Sequence, residues 1–446
     1  MRIDRLELKN FKKYEDATFE FPRSHDAVPG NGSFHVLIGE NGSGKTTILD
    51  AAAVALGVWL EKVPDSMLAS SRRSLTADQK RLIGAKSGDR TLFHRVAEAM
   101  SVRANGTILG EADISWGPAL EVGKTNISNK FSKAALAKIW SAYQQNERRL
   151  LPIICYYGAG RAWLAHNERK KLKAKTNGPA NRWEGLYDCL NERIRMADLS
   201  HWFQAEHIEM GNRQGRYRPG FEAVRRAVLA CVPGADGIWF DSASEEIALS
   251  IDGQAQPFGN LSAGQRVMLA LVADLAIRMV TQNNYLVPPE ALGPEDELLP
   301  RVLAQTPGVV LIDELDVHLH PKWQRSVTGD LKRTFPMVQF ITTTHSPQVI
   351  GGVKPDEIIR LLPDGKYDVP AQSYGMDTNW ILEVLMDADK EVPEIKHGIE
   401  SIFDLIAQRN LDGAQSQVAL LRERIGNSEM LQRAASTIER IRIINK

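Results

Sequence analysis

The apolar run Phe34-His-Val-Leu-Ile38 leads straight into Gly39-Glu-Asn-Gly-Ser-Gly-Lys-Thr46, and a helical pattern begins at the lysine. This spacing, G-x-x-x-x-G-K-[ST] between a strand and a helix, constrains the fold more than any other feature of the chain. It calls for an α/β architecture with a phosphate-binding loop at a strand's carboxyl end. Gly39, Gly42 and Gly44 let the backbone wrap a β-phosphate with its N–H groups, and the helix N-terminus adds a favourable dipole. The expected nucleotide contacts are Glu40, Asn41, Gly42, Ser43, Gly44, Lys45, Thr46 and Thr47. Lys45 supplies positive charge to the β- and γ-phosphates, and the Thr46 hydroxyl is a Mg²⁺ ligand, so ATP and Mg²⁺ are the implied cofactors.

A second apolar run, Val309-Val-Leu-Ile-Asp-Glu314, ends in adjacent carboxylates. A buried strand would thereby deliver Asp313 to Mg²⁺ and Glu314 to the water beside the γ-phosphate, as metal holder and as catalytic base. Asn260-Leu-Ser-Ala-Gly-Gln265 precedes a long apolar helix, expected over 265–279. It resembles the ABC signature sequence, with Ala263 where a second glycine is usual. Its Ser262, Ala263, Gly264 and Gln265 form a second anion-binding helix N-terminus. Thr342-Thr-Thr-His-Ser-Pro347 follows a further apolar strand, where the ABC family carries its switch histidine; by that resemblance His345 senses the γ-phosphate.

These motifs divide the chain. Residues 1–165 read as an N-terminal ATPase lobe with an insertion, 166–259 as a helical and basic insertion plus a strand pair, 260–373 as the second lobe, and 374–446 as a helical region. Alternation at the start predicts a hairpin of strands 2–8 and 17–21 around a turn at 10–16. Helical stretches are expected at 45–60, 91–103, 132–149, 182–208 and 221–231. Strands are expected at 151–157, 237–240, 246–251, 309–312 and 338–343, and amphipathic helices at 394–408, 412–425 and 429–443.

Composition narrows the class further. Fifty-five basic residues balance fifty-five acidic ones, so no global field drives the chain onto nucleic acid or membrane. Nucleic-acid contact would need a local patch, and two are candidates: residues 169–175 and the cluster Arg213, Arg216, Arg218, Arg225 and Arg226. No run approaches the about 20 apolar residues that span a bilayer, and no signal-peptide pattern opens the chain. Cys155, Cys189 and Cys231 lack metal-ligand spacing, which fits a reducing, cytoplasmic setting. His318-x-His320 invites a metal reading, but dimer contact or packing fits its position better. Asp387-Ala-Asp389 is an unconvincing nuclease motif because it follows a helix.

The opening Ile3-x-x-Leu-x-Leu-x-Asn-Phe11, the phosphate-binding loop, the signature and the histidine switch together resemble the soluble SMC/RecF/Rad50 branch of ABC ATPases. The gap between the loop and the signature lacks heptads, so a compact relative is implied. Ile312-Asp-Glu-Leu-Asp-Val-His-Leu-His-Pro-Lys-Trp-Gln324, Tyr156-Tyr-Gly158 with Arg161, Phe335-Pro and Ser373-Tyr-Gly-Met-Asp-Thr-Asn-Trp-Ile-Leu382 are similar to the ATPase of Septu and retron-associated anti-phage defence systems. That resemblance implies a homodimer or higher homo-oligomer that hydrolyses ATP and controls a separate HNH nuclease, with no nuclease activity of its own. The alternative it leaves open is a RecF-like genome-maintenance ATPase acting on DNA. Leu315 departs from the proline often found after the catalytic acid, and no Q-loop glutamine is assigned; Gln144 and Gln145 lie in a helical pattern, the wrong context.

Overall fold

Strands buried on both faces read as largely apolar runs, and here such strands form most of a six-stranded sheet. In the computed structural model, which describes residues 1–23, 32–61, 73–87, 90–108, 110–124, 133, 136–137, 141–143, 148–160, 182–293, 299–388 and 392–444, contacts separate two units, Met1–Met376 and Asp377–Lys446. The first unit begins with β1 (Arg2–Phe11), β2 (Tyr14–Glu20) and β3 (Ser33–Ile38). It continues through α1 (Lys45–Gly57), β4 (Leu82–Ser87), β5 (Arg90–Val96), β6 (Met100–Ile108), β7 (Glu111–Trp116), β8 (Ala119–Leu120) and β9 (Ile153–Tyr157). Next come α2 (Met196–Asn212), α3 (Pro219–Cys231), β10 (Ala235–Asp241), β11 (Glu246–Ile251), β12 (Gln254–Pro257) and α4 (Ala263–Gln282). Then follow β13 (Gly308–Ile312), α5 (Pro321–Thr334), β14 (Val338–Thr343), β15 (Ile358–Leu361) and β16 (Tyr367–Asp368).

The central sheet has the order β16-β15-β3-β14-β13-β9, parallel except for β16. All residues of β9, β13 and β14 are buried. The phosphate-loop strand β3 and the acid strand β13 are therefore not neighbours: β14 lies between them. The outer edge of β9 is closed by the segment after a 3-10 turn (Arg182–Leu186), through Tyr156 N to Cys189 O at 2.8 Å and Gly158 N to Glu192 O at 2.9 Å. A second sheet, β2-β1-β6-β7 with β8 on β6, packs α1 into a common core with Phe11, Phe19, Trp59 and Trp116.

The N-terminal hairpin is tighter than its alternation suggested. β1 runs on to Phe11, which pairs with Tyr14, and the turn is only Lys12 and Lys13, with Lys12 at φ +48°. Two expected helices are corrected. Residues 91–96 belong to β5 and 100–103 to β6, with a short connection between them; Met100, Val102, Ala104 and Ile108 are buried at period two and β6 pairs along β1. The helix expected over 182–208 is the 3-10 turn followed by α2, which starts only at Met196, and Asp188 at φ +54° breaks the run. Of the stretch 132–149, residues 133, 136–137 and 141–143 are described and helical.

The second unit carries helices α6 (Pro393–Ala407), α7 (Leu411–Ile425) and α8 (Glu429–Ile444). They bury Ile402, Val418, Leu421, Leu431 and Ile438 against one another, a small core of their own.

Candidate functional site

The parallel strands β3, β14, β13 and β9 end side by side, and the motif residues gather at their carboxyl ends. Gly39, Gly42 and Gly44 take φ +146°, +79° and +106°, values open to glycine and strained for other residues. Gly44 is needed for space as well, because a Cβ there would lie 2.3 Å from the Tyr14 hydroxyl. That hydroxyl donates to Ser43 O at 3.2 Å and Lys13 Nζ donates to Gly42 O at 2.6 Å, so the hairpin turn braces the loop. Lys45 curls inside it, donating to Gly39 O at 2.7 Å and Glu40 O at 3.0 Å. Burial pushes its pKa down, and the carboxylates of Asp313, Glu314 and Asp316 pull the other way.

Thr46 and Asp313, 267 residues apart in sequence, meet with Thr46 Oγ1 donating to Asp313 Oδ2 at 3.0 Å. The intervening strand organises the acids: Thr343 Oγ1 donates to Asp313 Oδ1 at 2.6 Å and accepts from Glu314 N at 2.7 Å. Glu314 has φ +49°, a left-handed conformation costly for a non-glycine side chain. Leu315, where proline was the commoner expectation, is fully buried, and its N–H donates to Thr343 O at 2.9 Å, a bond proline could not make. Asp316 Oδ1 accepts from the Thr344 hydroxyl at 2.5 Å and from His345 N at 3.2 Å, fixing the histidine's backbone beside the acids. Thr343, Thr344 and Asp316 escaped the sequence reading, although the Thr-Thr-Thr-His run was the signal that could have found them.

Ser262 is exposed and caps α4 in a reciprocal pair with Gln265: Gln265 N donates to Ser262 Oγ at 3.3 Å and Ser262 N to Gln265 Oε1 at 2.8 Å. Gly264 approaches the backbone after the acids so closely that a Cβ would meet His318 O at 2.6 Å. His320 caps α5, its Nδ1 accepting from Lys322 N at 3.3 Å. Among the described residues no three His, Cys, Asp or Glu come together as a metal site.

The acid strand is also tied to the signature helix. Asp313 N donates to Tyr157 O at 2.8 Å, and the Tyr157 hydroxyl donates to Asp274 Oδ2 on α4 at 2.7 Å. Arg278, one turn on, donates to the same oxygen at 2.8 Å and to Gly185 O and Tyr187 O at 2.9 and 2.8 Å. An Asp and an Arg four residues apart in the apolar middle of the helix, between Val267 and Val280, were the sequence sign of this network. The position sought for a Q-loop glutamine gains no candidate, since Gln144 and Gln145 lie outside the described residues.

Residues 169–175 and Arg161 also lie outside the described residues. In the second basic cluster Arg218 pairs with Glu206, Arg225 pairs with Glu222 at 2.8 Å, and Arg213 reaches Glu290 O at 3.4 Å, so much of its charge is already engaged. Asp387 has φ +51°, and Asp389 is outside the described residues.

Hard oxygen donors from a threonine and an aspartate at the mouth of a phosphate loop fit Mg²⁺, which takes few protein ligands and completes its shell with phosphate and water. A parallel sheet with this loop, an acid pair two strands away and a histidine just beyond the end of the strand between them defines a P-loop ATPase domain. A family model described as an AAA domain matches residues 5–209, and a second, also described as an AAA domain, matches 245–351.

The chain is similar in sequence to retron ATPases and to the Septu protein PtuA. It is 25% identical to the Retron Vc95 probable ATPase of Vibrio cholerae over 80% of this chain and 73% of that protein. It is 33% identical to the Retron Ec83 probable ATPase of Escherichia coli over 39% of this chain and 30% of that one, and 23% identical to the Septu protein PtuA of Bacillus mycoides over 81% and 40%. The match thus spans less than half of two of these relatives. An SMC head bound to the C-terminal winged-helix domain of ScpA aligns at 19% identity with a TM-score of 0.47, covering 84% of this chain and 98% of that one. Among the described residues no helix is long and apolar enough to cross a membrane.

Proposed function

We propose that this chain binds and hydrolyses ATP with Mg²⁺ and that its nucleotide state governs a partner in a bacterial anti-phage defence system. The contact of Thr46 with Asp313, held by Thr343, is the observation that carries the reading, because it joins the loop that would bind phosphate to the acid that would share its metal. Thr46 and Asp313 would hold Mg²⁺, which would neutralise charge on the phosphates. Lys45 leaves the loop carbonyls for phosphate oxygens when nucleotide enters, and the loop N–H groups orient the β-phosphate. Glu314 accepts the proton of the attacking water, and His345 donates a hydrogen bond towards the γ-phosphate.

Ser262, exposed at the N-terminus of α4, supplies the signature surface to the phosphate of a second copy, with Gly264 buried behind it, giving a head-to-tail dimer with shared sites. The similarity to Septu and retron ATPases supports a defence role in which a separately encoded HNH nuclease does the cutting. Direct action on DNA is less favoured, because two arginines of the described basic cluster are spent on Glu206 and Glu222. The test is to purify the chain with the product of its neighbouring gene and titrate ATP and a non-hydrolysable analogue while following plasmid DNA and RNA cleavage. Nucleotide-dependent cleavage by the complex, with none by the chain alone, is expected. Cleavage indifferent to nucleotide, or metal-dependent cutting by the isolated chain, would reject it.

A further inference from the structure

At the opposite, amino-terminal ends of the same strands lies a cavity of about 560 Å³, walled by Pro152 before β9, Pro307 before β13 and Met337 before β14. Its volume falls in the range of small-molecule sites, roughly 300–1,000 Å³. Three guanidinium-bearing side chains also line it. Arg2 is 5% exposed, and its donors reach Asp4 Oδ1, Ser33 Oγ and Phe21 O, each at 2.5 Å. Arg23 is exposed and Arg149 half-buried, and neither has a carboxylate partner among the described residues. Burial lowers the pKa of Arg2, and Arg23 lowers it further while Asp4 opposes both, so positive charge is crowded here. Asp4 is already bonded to Arg2 and accepts from the Thr107 hydroxyl at 3.4 Å.

We infer that this cavity binds a small organic phosphate of mononucleotide size, its anionic end between Arg2, Arg23 and Arg149 and its uncharged body against Pro152, Pro307 and Met337. Crowded guanidiniums short of carboxylates are stabilised by a multivalent anion, and planar forks match phosphate oxygens bidentately. Apolar walls would favour an organic body over a bare inorganic ion. The site is separate from the phosphate loop. Each residue of β13 (Gly308–Ile312) advances about 3.3 Å, so Pro307 in the cavity wall lies roughly 20 Å along that strand from Asp313. A ligand there would grip the starts of the strands whose far ends carry Asp313, Glu314 and His345, which suits a regulatory input.

The test uses the full chain carrying Lys45→Ala, which disables the phosphate loop, titrated with AMP and with pyrophosphate by calorimetry. Saturable AMP binding near one per chain is expected. It should be at least tenfold tighter than pyrophosphate and at least tenfold weaker when Arg23→Ala and Arg149→Ala are added. Equal affinity for the two probes would overturn the organic body. Absence of saturable binding, or AMP binding indifferent to the two arginine substitutions in a protein with unchanged circular dichroism, would overturn the site. Because the loop is disabled throughout, either failure leaves the ATPase reading untouched.

Discussion

Replacing Thr343 by valine preserves the side chain's shape and removes one hydroxyl that serves both acids. In the native site that hydroxyl donates to Asp313 Oδ1 at 2.6 Å and accepts from Glu314 N at 2.7 Å, in a residue with no exposed surface. Without it the Glu314 N–H loses its partner, and Asp313 keeps only Thr46 of the two hydroxyls that hold its carboxylate. A buried polar group left unpaired costs about 1–3 kcal/mol. The left-handed Glu314 backbone, at φ +49°, has one bond fewer to hold it. If that loss is felt in positioning the base, kcat falls by roughly 10- to 100-fold, since about 1.4 kcal/mol is a factor of ten. The contacts of Lys45 and of the loop glycines are untouched, so KM for ATP should stay within about threefold. Phosphate release under steady state, with urea unfolding on the same preparations, separates the two effects. Thr343→Ser restores the hydroxyl and should return kcat to within about threefold of the parent. A valine variant with parental kcat, or a serine variant as slow as the valine one, would contradict this role for the Thr343 hydroxyl.

Tyr157→Phe removes the hydroxyl that reaches Asp274 on the signature helix; ATP affinity should hold while kcat falls about tenfold and ATP-induced protection of helix 263–282 from hydrogen exchange is lost, and unchanged protection would contradict the link. Ser262→Arg should retain ATP binding by equilibrium dialysis yet lose ATP-dependent dimerisation and turnover, and a fully active Ser262→Arg chain would contradict shared sites. His35, buried with Nδ1 unpartnered, has its pKa pushed down to about 3 from 6.5 by burial, with Arg2 and Lys332 adding to the shift. The unfolded chain therefore binds the extra proton between these values, and stability is lost as pH falls below 6.5, by about 2 kcal/mol at pH 5. His35→Gln should flatten the difference between urea midpoints at pH 7.5 and pH 5, and identical pH dependence in both proteins would refute this assignment.

The phosphate loop, the acid pair and the signature were legible because each depends on a local pattern: glycines where φ is positive, an apolar strand ending in carboxylates, a serine opening an apolar helix. The central strands were legible for a similar reason, since β9 and β13 are unbroken apolar runs and β14 carries Val338, Phe340 and Ile341. Strands β5 and β6 were misread as a helix because Thr91 to Arg103 contains residues compatible with both periods, and only pairing of β6 with distant β1 decides between them. The interruption at Asp188 depends likewise on the segment's bonds to the edge of β9, made through main-chain groups that carry no residue signature. Thr343 and Asp316 went unnoticed because their role is to hold other residues, and that role exists only once β14 lies between β3 and β13.

One site, built from the phosphate loop and the acid pair, is expected to turn over ATP. Steady-state phosphate release and ATP binding by the parent, Lys45→Ala and Glu314→Gln proteins test it most directly. Lys45→Ala should lose ATP binding and turnover together, whereas Glu314→Gln should bind ATP as the parent does and hydrolyse it at least 100-fold more slowly, a difference of about 2.7 kcal/mol in barrier. Turnover by Glu314→Gln at the parental rate would contradict it.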